Sequence, residues 1–92
     1  MAADENLNET QFMPLHKIKK LISNNSTNMG TVGQMLPRAR RDSQYTSVRD
    51  SMASVGQQEP LQVVDSVLVE GHHRAAAAEE LGWKGLQIRR GF

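Results

Sequence analysis

The sequence predicts a small α/β (α+β) domain, two main helices packed on a short mixed and mostly antiparallel sheet. Three observations predict it. Short β-branched runs alternate with helical periods in the order β, loop, α, β, β, α, β. Glycines stand where each helical period stops, at Gly56 and Gly82. The 92 residues suffice for one domain and no more.

Residues 1–10 hold Asp4, Glu5 and Glu9 without a base, and are expected to be a disordered acidic tail ahead of a domain over 11–92. Residues 11–22 mix Phe12, Met13, Leu15, Ile18, Leu21 and Ile22 with lysines; Pro14 restricts the start to an edge strand or an irregular entry. A helical turn after it would put Ile18, Leu21 and Ile22 on one face. Residues 23–33, SNNSTNMGTVG, read as a long polar loop. Arg38, Arg40 and Arg41 cluster behind it. Asp42 or Ser43 can cap a helix over 43–55, in which Tyr45, Val48, Met52 and Val55 share a face. Residues 61–64 and 67–69 are strands joined by an Asp65-Ser66 turn. A helix follows over 72–81, with four consecutive alanines of the highest propensity. Ala75, Ala78 and Leu81 form a thin apolar stripe that would let it sit close to a sheet. Trp83 is expected in the core, and 85–89 alternates as a last strand.

Composition excludes several functions. Eleven Lys+Arg against ten Asp+Glu leave a formal charge of +1, too little to hold the chain on nucleic acid by bulk charge. The absence of cysteine excludes a disulfide scaffold, a Cys-based zinc site and thiol catalysis. No apolar run reaches membrane-spanning length and the first residues lack a signal-peptide pattern, so a soluble, cytoplasmic protein is expected.

The helix over 72–81 carries its charges the wrong way round. A helix N-terminus has unpaired N–H groups and a partial positive charge, so acids belong there and bases at the far end. Here His72, His73 and Arg74 crowd the first turn while Glu79 and Glu80 sit in the last. Such a violation marks a candidate site. An anion at the N-terminus relieves it: a phosphate would take N–H bonds from the first turn and a bidentate contact from Arg74, with Gly71 allowing close approach. Alternatively Arg74 pairs with Glu70 or Asp42 and the histidines are surface residues. Adjacent histidines with no third ligand do not suit a protein-only metal site.

QQEPLQVV at 57–64, the hairpin, and LVEGHHRAAAAEELGW at 68–83 together resemble the ParB/sulfiredoxin superfamily. That resemblance implies that Gly71, His72, His73 and Arg74 bind nucleotide phosphates. ParB partition proteins bind and hydrolyse CTP through Gly-Glu-Arg-Arg; here His72 and His73 stand for the glutamate and one arginine. Sulfiredoxins carry Gly-Cys-His-Arg, and His72 at the cysteine position removes reductase chemistry. Free-serine kinases of the superfamily carry Asp-Gly-His-His-Arg, which this sequence approaches with Glu70 for the aspartate. Leu36-Pro37-Arg38 resembles the Gln-Pro-Arg segment that adds an arginine to the same pocket. ParB proteins continue into helix-turn-helix and dimerisation domains, so a sequence-specific DNA clamp is not expected of these residues alone.

The expectation is a small standalone nucleoside-phosphate-binding module for CTP or ATP/ADP with Mg²⁺. Gly71, His72, His73, Arg74 and Arg38 would hold phosphates, and Glu70 would hold Mg²⁺ or act with His73 in catalysis. Two alternatives stand beside it. One is a non-catalytic adaptor or inhibitor of phage or mobile-element type, docking on a host protein or on DNA. The other is a small-molecule phosphotransferase or weak NTPase, in which Glu59 could also serve. Lys17, Lys19, Lys20, Arg40, Arg41, Arg89 and Arg90 could line a weak basic face for DNA, or be solvated surface. The edge at 12–15 would allow a homodimer. No carboxylate cluster supports a two-metal nuclease, and no membrane partner is expected.

Overall fold

Alternation drives the strands. In Leu61–Val64 the buried residues are Leu61 and Val63, and in Gly85–Arg90 Leu86 and Ile88 turn inward. The structure, a computed structural model, describes residues 10–24 and 30–91. Its elements run β1 (Gln11–Pro14), α1 (Leu15–Ile18), β2 (Ile22–Ser23), α2 (Val32–Ala39), α3 (Tyr45–Val55), β3 (Leu61–Val64), β4 (Val67–Glu70), α4 (His72–Leu81) and β5 (Gly85–Arg90). The expected tail lies outside the described residues apart from Thr10, as do 25–29 of the expected loop.

One five-stranded sheet has the order β1-β5-β3-β4-β2. β3 and β4 form the expected antiparallel hairpin, with Asp65 in the turn at φ 55°. From β4 the chain crosses through α4 and returns beside β3, so β5 runs parallel to β3. β2 is parallel to β4, and β1 pairs antiparallel with β5 at the edge. Half the strand pairings are thus parallel, which corrects the mostly antiparallel expectation. The helical crossover reverses the direction that a hairpin would impose.

Three further expectations change. First, α2 lies partly inside the predicted loop. Thr31 opens it with a capping box: its Oγ1 accepts the Gln34 N–H at 3.3 Å and its own N–H donates to Gln34 Oε1 at 2.9 Å. Gly33 and Pro37 disguise this helix in the sequence, but Val32, Leu36 and Ala39 bury one face of it. Second, Ile22 leaves the helical turn for a strand, its N–H donating to the Ser66 carbonyl at 2.8 Å. Third, the next helix starts at Tyr45, and neither Asp42 nor Ser43 is its cap. Asp42 Oδ1 instead accepts the Gln44 N–H at 2.9 Å, closing the turn before it.

α4 is the centre of the core. All of Ala75, Ala76, Ala77 and Ala78 have no exposed surface, a wider burial than the thin stripe expected. α2 and α3 both pack on this helix, so small side chains face neighbours on every side. Trp83 packs, partly buried, against the same core. Among the described residues no helix is long and apolar enough to cross a membrane.

Candidate functional site

β4 ends at Glu70, Gly71 turns the chain at φ 118°, and α4 starts at His72. No side chain caps this N-terminus, and its first turn holds no acid. Across from it lies the C-terminal half of α2. Between them is a cleft of about 520 Å³ lined by Met35, Arg38, Ala39, Asp42, Val69, Glu70, Gly71, His72 and His73.

The site residues behave differently from one another. His72 is buried and its Nε2 shares a 2.7 Å hydrogen bond with Ser23 Oγ of β2. Burial first, and then the neighbouring His73, holds its imidazole below the usual histidine value. His73 is partly open, its Nε2 lying 3.5 Å from Asp42 Oδ2. Glu70 and Arg38 are exposed on the cleft walls and form no ion pair among the described residues. Glu70 therefore does not take up the structural pairing with Arg74.

Arg74 does not join the cleft. Its guanidinium lies 3.4 Å from the Pro60 carbonyl and 3.9 Å from Glu59. It lines a second hollow with Ser47, Val48, Ser51, Met52, Gly56, Gln58 and Glu59. Successive residues of a helix project about 100° apart, and Arg74 falls on the far side of the turn from His73. The bidentate phosphate contact expected of it has no support in this geometry. Among the described residues no three His, Asp or Glu side chains converge on a metal position. A divalent ion would have to bring other ligands with it.

The basic face is also smaller than its residues suggest. Lys19 Nζ at 2.6 Å and Arg40 at 2.7 Å converge on Glu79, and Arg90 donates to Gln11 Oε1 at 2.6 Å. Arg89 is half-buried, with its Nε unpartnered.

Sequence reasoning missed Met35, Ala39 and Asp42 as part of the cleft. Met35, Arg38 and Ala39 are spaced i, i+3 and i+4, one helical face, and Asp42 follows in the turn after the helix. Thr31 with Gln34 was the available signal that a helix starts there.

No family model and no curated protein matches the sequence. Solved structures do match the fold. Sulfiredoxin from Arabidopsis thaliana superimposes with a TM-score of 0.61 at 21% identity, over 90% of this chain and 84% of that one. A Pnob8-like ParB-N domain superimposes with a TM-score of 0.62 at 19% identity, over 89% of this chain and 29% of that one. The fold is ParB/sulfiredoxin-like. Within this ParB/sulfiredoxin-like domain the cleft lies where the GHHR stretch meets the Leu36-Pro37-Arg38 segment, the two places from which the sequence resemblance draws its phosphate ligands.

Proposed function

We propose that this domain binds a nucleoside phosphate in the cleft, with the phosphates at the amino end of α4. One observation carries the reading. Arg38 stands exposed on the cleft wall with no partner among the described residues, whereas Lys19, Arg40 and Arg49 are each tied to an acid. An unpaired guanidinium facing an uncapped helix N-terminus is an arrangement suited to a phosphoryl group. The volume is within the range of small-ligand sites. Met35, Ala39 and Val69 supply an apolar wall for the remainder of the ligand.

In this reading Gly71 and His73 offer backbone N–H groups, His72 forms the floor, and Arg38 clamps the phosphates. Arg74 braces the turn against the entry to β3. Glu70 would be the residue to hold a Mg²⁺ that accompanies the nucleotide, since Mg²⁺ commonly takes only one or two carboxylates from a protein.

Calorimetric titration with CTP, ATP and ADP in the presence of Mg²⁺ tests the proposal. At least one should bind. Arg38→Ala should weaken that binding by about tenfold, the size of one charge-assisted hydrogen bond, with an unchanged melting temperature. Absence of both heat and thermal shift for all three nucleotides overturns it.

A further inference from the structure

We infer that Asp42 is a built-in competitor for the phosphate site, a fixed carboxylate that sets how much negative charge the cleft accepts. The inference rests on the nucleotide reading above and names the residue that limits its ligand.

Asp42 lies on the cleft wall in the turn that follows α2, beside Met35, Arg38 and Ala39 of that helix. The Gln44 N–H holds its Oδ1 at 2.9 Å. That anchor leaves Oδ2 aimed across the cleft, 3.5 Å from His73 Nε2. The side chain is 48% exposed, so an entering ligand meets it directly. A phosphoryl oxygen seeking the backbone N–H groups of the first turn of α4 meets this carboxylate beside the His73 ring and is repelled by it. The repulsion grows with the charge that the ligand brings and falls with its distance. A cleft holding Arg38 on one wall and Asp42 beside it discriminates by charge rather than attracting every anion.

Asp42→Asn removes the charge and keeps both the shape and the oxygen that the Gln44 N–H needs, so the turn before α3 survives. The experiment compares wild type and Asp42→Asn with a nucleoside mono-, di- and triphosphate in metal-free buffer at low salt. The variant should bind the triphosphate roughly three- to tenfold more tightly, with a smaller gain for the diphosphate and the least for the monophosphate. Added salt should shrink the gain. Equal affinities, a weaker triphosphate complex, or the same gain for all three ligands overturns the inference while leaving nucleotide binding intact. Asp42→Ser, which also retains a capping oxygen, repeats the test should the first variant melt early. No binding by either chain with or without Mg²⁺ overturns the nucleotide reading and this inference together, and binding only with Mg²⁺ overturns this inference alone.

Discussion

Gly71 is required twice over. Its φ of 118° lies where side-chain-bearing residues rarely sit, and a Cβ there would run into the Leu61 side chain. Gly82 shares only the first constraint, also left-handed at φ 77° and with open space around the missing Cβ. The two glycines separate the terms. Gly82→Ala should cost about 1 kcal/mol, the conformational cost alone. Gly71→Ala adds overpacking of a fully buried leucine and should cost about 3 kcal/mol. Urea melts of the two variants check the difference, and equal losses would refute the steric part. Arg74 teaches a related lesson. The sequence resemblance implies a cleft position for it, yet a rotation of one residue along α4 carries it to Glu59 and Pro60.

At the scale of elements, α4 shows how a helix with reversed charges is held. Its last-turn acids meet bases from three other segments: Glu79 receives Lys19 and Arg40, and Glu80 receives Arg49 at 3.2 Å. These pairs are partly exposed, so each contributes modestly, but together they offset the unfavourable dipole. Tyr45 adds a bond between α3 and α4 by donating its hydroxyl to Glu80. Burial, helped by that carboxylate, pushes the phenol up to about 12. The Tyr45 hydroxyl bond holds the Glu80 carboxyl below its usual range. A folded-state value above the ordinary 10 makes this contribution complete below about pH 10. It is lost as pH rises through about 12. Melting temperature against pH should therefore fall more steeply for wild type than for Tyr45→Phe between about pH 10 and 12. At neutral pH Tyr45→Phe should lose about 1 kcal/mol. Parallel alkaline slopes would remove Tyr45 from this role.

At the scale of the whole molecule, the core joins the two buried runs. Ala75 to Ala78 fill the centre of the helical layer, and Leu86 with Ile88 sit in β5, between β1 and β3. Edge strand β1 has a neighbour on one side only, and the outer side of the two-residue β2 is met by a bridge from Ile22 to Thr31. Gly85 lets β1 cross closely, since a Cβ there would strike the Met13 carbonyl. Gln57 stitches the α3–β3 connection to β5, its side-chain amide accepting the Gln87 N–H at 2.8 Å and donating to the Gln87 carbonyl at 2.9 Å. Hydrogen exchange should be slowest at 75–78 and 86–88 and faster at 11–14 and 22–23, because local opening starts where fewest buried contacts must break. Equal protection of β1 and β5 would contradict this ranking.

Much of the architecture was legible before any coordinate. β-Branched apolar runs marked β3 and β4, alternation marked β5, the alanine run and its flanking glycines bounded α4, and the GHHR turn marked one wall of the cleft. These signals are local: they arise from backbone sterics, side-chain period and helix-end hydrogen bonding within a few residues. Of the second wall only Arg38 was legible, through the resemblance; its helix stayed hidden because Gly33 and Pro37 argue against it, and it survives by burying Val32, Leu36 and Ala39. Nor could the sequence decide that Arg38 and Asp42 would line the cleft and that Arg74 would not. That choice depends on how two helices rotate against each other, and only packing over long sequence separations sets that rotation.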